Sequence, residues 1–131
     1  MSQAHYLLDS DILIEYLRGR AEAQAFFDNL LGIRSISVVS VAELFAGTRN
    51  AREAADLEVF LNVFEQVPVS AVIARTGGAL RHAYRESHGT GLAAALIAAT
   101  ALELQATLVT FNQRHFPMLE SVLVPYPRGA Q

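Results

Sequence analysis

Two periods of apolar and polar positions divide this chain into strands and helices. Tyr6, Leu7 and Leu8 form an apolar run without polar alternation, the pattern of a strand buried on both faces at the centre of a parallel sheet. The run stops at Asp9, Ser10 and Asp11, residues whose side chains accept backbone N–H bonds and so favour turns and helix starts. Ile12, Leu13, Tyr16 and Leu17 then recur at helical spacing, up to a break at Arg18, Gly19 and Arg20. Asp9 is thus predicted at the carboxyl end of a central strand, where a helix begins. In open α/β sheets ligands bind at that edge, and a carboxylate there serves as a cap or as part of a site.

The alternation continues. Residues 21–31 read as a helix with Ala25, Phe26, Leu30 and Leu31 on one face, closed by Gly32. Residues 33–39 are rich in β-branched side chains and predict a second strand. Ser40 and Glu43 have capping-box spacing for a short helix that ends at Gly47. Residues 51–64 predict a long amphipathic helix, and 67–69 a short strand that Pro68 places at a sheet edge. Ser70 caps a helix running to about residue 85, and 87–91 form a loop. Residues 92–104 are Ala-rich and apolar all round, the composition of a central, mostly buried helix. Strands at 107–110 and 122–124 flank a loop or helical turn at 112–116, and residues 126–131 read as a frayed tail. Strands alternating with helices over 131 residues, without linker or repeat, predict one α/β domain with a mainly parallel four- to five-stranded sheet and helices on both faces.

Composition narrows the chemistry. No apolar run reaches the ~18–20 residues that span a bilayer, and the start of the sequence lacks the layout of a signal peptide. Cysteine is absent, which excludes disulfides and thiolate metal sites and agrees with a cytoplasmic location. A net charge of −3 argues against nucleic-acid binding by bulk charge, though not against an acidic site that meets RNA through metal ions. All ten basic residues are Arg, a planar bidentate donor suited to phosphate, although codon bias explains the same choice.

Asp9, Glu43 and Asn112 fall at or just beyond predicted carboxyl ends of strands. Oxygen ligands gathered at one sheet edge suit Mg²⁺ or Mn²⁺, and such ions activate water against a phosphodiester. Each residue also has a plainer role. Asp9 and Asp11 can cap a helix, Glu43 can complete a capping box with Ser40, Asn112 can hold a turn, and His115 can sit in a surface loop. Arg18, Arg20, Arg49 and Arg114 lie near the predicted edge, as phosphate contacts or as solvated surface.

Four blocks, at 6–14, 37–47, 95–101 and 108–116, together resemble the PIN-domain ribonucleases, and among them the VapC-type toxins of bacterial toxin–antitoxin pairs. The blocks occur in the family's order and cover nearly the whole chain. The resemblance implies a small parallel sheet between helices, and Mg²⁺- or Mn²⁺-dependent endonucleolytic cleavage of RNA. It also implies a VapB-type antitoxin that inserts a segment near the site, and homodimers or toxin–antitoxin hetero-oligomers. Asp9 resembles the first metal-binding Asp and Glu43 the Glu of the second block. Thr110 and Asn112 match the family's Thr-x-Asn, and His115 stands where many members have a further acid. The chain departs at the third block, where an Asp normally precedes Ala-Leu-Ile and this sequence has Ala94. A methyl group cannot ligate a metal, so the resemblance implies a toxin-type endoribonuclease weakened or inactivated at that position. The intact block around it points to a single change rather than drift. The competing reading is a non-catalytic module of the same fold that acts by binding an antitoxin or regulatory partner. A nucleotide-binding domain fits less well, because no glycine-rich loop follows the first strand.

Overall fold

A computed structural model describes residues 3–128. Five strands, β1 (His5–Leu8), β2 (Ile33–Ser37), β3 (Glu65–Val67), β4 (Thr107–Val109) and β5 (Val122–Leu123), form one parallel sheet in the order β3-β2-β1-β4-β5. Six helices connect them: α1 (Ser10–Leu17), α2 (Ala21–Asn29), α3 (Val38–Ala46), α4 (Ala51–Leu61), α5 (Ala71–His88) and α6 (Leu92–Leu104). β1 is central, and its two-residue side-chain period explains the unbroken apolar run. Leu7 joins Leu108, Ile97, Ala98 and Ala101 on one face, while Leu8 joins Val109, Ile12, Ile36 and Leu61 on the other. The expected α/β fold with a mainly parallel sheet of four to five strands is the observed one, with five strands, all paired in parallel. No described helix is long and apolar enough to cross a membrane.

The chain steps outward from β1 to β2 to β3, then crosses back to β4 and β5. The winding direction thus reverses between β1 and β4, and a crevice opens at their carboxyl ends, where doubly wound sheets bind ligands. Behind that edge α6 packs closely on α5. A Cβ at Gly77 of α5 would approach Leu96 Cδ2 to 2.6 Å, so the glycine permits the contact.

Several expected boundaries move. β2 ends at Ser37, and Val38 and Val39 open α3 instead of extending the strand. Ser37 is the cap, its Oγ accepting from Val39 N at 3.0 Å. Ser40 is not a cap: it is buried inside the first turn of α3, and its hydroxyl has no hydrogen-bond partner among the described residues. The capping box of Ser40 with Glu43 therefore does not form. Asp11 is likewise inside the first turn of α1, whose N-cap is Asp9. The third strand precedes Pro68 rather than containing it, because proline offers no N–H to the ladder. α2 stops at Asn29, two residues short of the expected end; Gly32, at φ 140°, then passes so close to the Ala4 carbonyl that a side chain would collide. The expected tail is packed in its first part: Tyr126 stands edge-on to Phe111, with ring centroids 5.1 Å apart, and Arg128 lies over the same ring. Residues 129–131 fall outside the described residues.

Candidate active site

Asp9 follows β1 directly, and Thr110 follows β4. The two are joined across the reversal point. Asp9 N donates to Val109 O at 3.0 Å, and Thr110 Oγ1 donates to Asp9 Oδ2 at 2.8 Å. Asp9 Oδ1 accepts from Ser10 N at 2.8 Å, so the cap role and the site position belong to the same carboxylate. Each oxygen accepts one of these bonds, which leaves further acceptor capacity on both.

Asp11 fastens the loop after β4. It accepts from Ile12 N at 2.7 Å and from Phe111 N at 2.9 Å, and lies 3.2 Å from the Thr110 hydroxyl. Thr110 has one proton for two carboxylates, and the shorter distance gives it to Asp9. Its oxygen in turn accepts from Asn112 N at 3.1 Å, which turns the chain so that Asn112 faces the crevice.

Glu43 arrives from α3. Starting that helix at Val38 puts Glu43 beyond capping reach, and it meets Ser10 Oγ at 3.3 Å instead. A cavity of about 240 Å³ is lined by Asp9, Ser10, Asp11, Glu43, Ala93, Ala94, Ile97, Asn112, His115 and Phe116. Asp9, Glu43, Asn112 and His115, all named from the sequence, are thus brought together, and Ala94 forms part of the same wall. Thr110 supports from beneath without lining the cavity. Ser10, whose hydroxyl links the first acid's neighbourhood to α3, was not marked out by the sequence; its place between two aspartates was the only local signal.

Burial is the main force on the two aspartates. It pushes the Asp9 carboxyl up to about 7, helped by the Asp11 charge and then by that of Glu43, against the hydrogen bonds from Thr110 and Ser10. Asp11 is also raised, again chiefly by burial, and is held down by its bonds from Phe111 and Ile12 and by the Arg128 guanidinium. Like charges crowded in a partly desolvated crevice are destabilising alone and are relieved by a cation.

The predicted edge arginines divide. Arg20 pairs with Glu15 at 3.8 Å, and Arg49 with Glu53 at 2.7 Å. Arg18 and Arg49 line a second, larger groove with Ile14, Leu17, Leu44 and Leu57, which meets the first cavity at Glu43. Arg114 is exposed in the 3₁₀ turn Gln113–His115.

A parallel sheet with acids at its reversal point places them in the crevice where open α/β sheets bind ligands. The PIN domain profile matches residues 6–119, and the chain belongs to that family. It is 42% identical over 123 residues to ribonuclease VapC10 of Mycobacterium tuberculosis, covering 92% of each chain. It is 39% identical over 125 residues to ribonuclease VapC19 of the same organism, covering 92% of this chain and 98% of the relative. Among solved structures, a toxin–antitoxin complex from Klebsiella pneumoniae superposes with a TM-score of 0.79 at 28% identity, covering 92% of this chain and 98% of that one. FitAcB from Neisseria gonorrhoeae gives 0.75 at 26% identity, over 92% and 97%.

Proposed function

We propose that this protein is a toxin-type endoribonuclease that depends on Mg²⁺ or Mn²⁺, is neutralised by a cognate antitoxin, and is impaired in this form by Ala94. The observation that carries the proposal is the meeting of Asp9, Glu43, Asn112 and Ala94 around one cavity at the reversal point of the sheet. Similarity to VapC ribonucleases over nine-tenths of the chain supports the reaction class.

The donor set fits a hard divalent cation. Asp9 and Glu43 offer carboxylate oxygens and Asn112 an amide, and Mg²⁺ is often held by one or two carboxylates while keeping several waters. Among the described residues, no three His, Cys, Asp or Glu side chains are grouped to hold a metal ion. When bound, the cation would supply an activated water and charge neutralisation at the phosphodiester. The chain's own part is orientation: Thr110 and Ser10 fix Asp9, Asp11 fixes the loop carrying Asn112, and Ser10 holds Glu43 near Asp9. The mixed groove that meets the cavity at Glu43 is suited to the antitoxin segment, whose arrival would cover that acid.

Ala94→Asp is the test. With Mn²⁺ the substituted protein should cleave RNA at least about a hundredfold faster than its parent, a gain that chelation abolishes, in keeping with the usual size of metal-site effects. If A94D is folded and cuts no faster, the impairment assigned to Ala94 is wrong. A non-catalytic antitoxin-binding module is the second reading. Ala94 favours it, and it would be supported if A94D still bound antitoxin while remaining inert.

A further inference from the structure

We propose that Arg128 is a substrate-gripping residue of this site: its guanidinium, seated over the Phe111 ring, takes a phosphate of the RNA strand flanking the bond to be cut. The inference rests on the ribonuclease reading above and names a residue that reading does not use.

The crevice is acidic, and a polyanion reaching it needs a cation on the rim besides any metal within. Arg20 and Arg49 are already committed to glutamates, Arg34 is turned inward to the carbonyls of Phe27 and Leu30, Arg18 lines the second groove, and Arg114 stands exposed on the 3₁₀ turn with no aromatic ring to hold it among the described residues. Arg128 is exposed and forms no ion pair among the described residues. It is nonetheless held in place. Its Cζ sits 4.2 Å from the centre of the Phe111 ring, which Tyr126 braces edge-on from the following segment. Phe111 lies between Thr110 and Asn112, and its N–H is bonded to Asp11. The arginine is therefore mounted on the loop that shapes the site. A cation–π contact uses up no N–H donor, and among the described residues Arg128 makes no hydrogen bond or ion pair, so its planar fork of donors is available to meet phosphate oxygens bidentately.

The experiment measures binding of a fluorescein-labelled single-stranded RNA of mixed sequence by anisotropy over a range of KCl concentrations. The unaltered protein, Arg128→Ala and Arg128→Lys are compared, each checked for folding by circular dichroism. Arg128→Ala should bind roughly tenfold more weakly at low salt, with the slope of log K against log salt reduced by about 0.7, the value for one phosphate contact to a single strand. Arg128→Lys should restore the slope but only part of the affinity, because it keeps the charge and loses the planar fork. In the A94D background, Arg128→Ala should raise KM and leave kcat nearly unchanged. Equal affinity and slope in the Ala variant would overturn the role of Arg128 alone. Absence of RNA binding by the unaltered protein, together with inactivity of A94D, would overturn this role and the ribonuclease reading with it.

Discussion

Asp9 caps α1 and faces the cavity, and these duties pull in opposite directions. The cap stabilises the helix, but burial beside Asp11 and Glu43 penalises the charge. Its native pKa of about 7 lies above the ordinary value of 3.8, so between those limits the native state holds a proton that the unfolded chain has released. By linkage, stability falls as pH rises through that window; the penalty is absent below 3.8 and complete above about 7. Asp9→Asn keeps the shape and removes the charge. The variant should match its parent near pH 4 and exceed it by roughly 1–3 kcal/mol at pH 8, as read from urea unfolding at each pH. A difference that does not grow with pH would show that Asp9 carries no such penalty. Much of this site was legible in the sequence, because Asp9 follows β1 directly, Asn112 comes shortly after β4, and chemistry gathers where strands end. Arg128 was hidden: its partner ring lies 17 positions away and in the sequence it looks like part of a polar tail.

At the level of elements, helix starts decided what sequence pattern alone could not. Val38 and Val39 read as strand by β-propensity, yet the Ser37 side chain captures Val39 N and begins α3 earlier, moving the cap from the expected Ser40 to Ser37. Capping is a specific bond and propensity a weak average, so the bond wins. The shift matters to function, since it sends Glu43 to Ser10 rather than back to its own helix end. Existence and order of the elements were readable because each apolar stripe is strong. Their ends were not, because they depend on single hydrogen bonds and on neighbours far along the chain. One end carries strain. α6 terminates on Gln105 at φ 53°, ψ 42°, the described non-glycine residue with positive φ. A left-handed conformation costs an L-residue about 1–2 kcal/mol, and glycine relieves it at the price of a looser unfolded chain. Gln105→Gly should therefore raise the melting temperature by a few degrees, corresponding to about 0.5–1 kcal/mol. A lower melting temperature would mean that the Gln105 side chain contributes more than its backbone conformation costs.

Across the whole molecule, one topological fact sets the chemistry. Because the strand order reverses between β1 and β4, residues about a hundred positions apart, Asp9 and Thr110, become hydrogen-bonded neighbours, and helices α3 and α6 bring Glu43 and Ala94 to the same cavity. The acids gathered there repel one another, and the divalent cation of the proposed reading would remove the repulsion. Cation binding there would be coupled to deprotonation of Asp9, because the ion would have to displace a proton from a carboxyl raised to about 7. Affinity for Mn²⁺ should consequently rise as pH increases from 6 to 8, and binding near pH 6.5 should release a fraction of a proton, measurable by calorimetry in buffers of different ionisation enthalpy. A94D should bind more tightly by about one to two orders of magnitude, since a third carboxylate enlarges the ligand set, and saturating Mn²⁺ should raise its melting temperature more than that of the parent. Asp9→Asn should lose the proton release and most of the affinity in both backgrounds. If Mn²⁺ stabilises the parent and Asp9→Asn equally, the ion is binding elsewhere and the cavity at the reversal point is not the metal site.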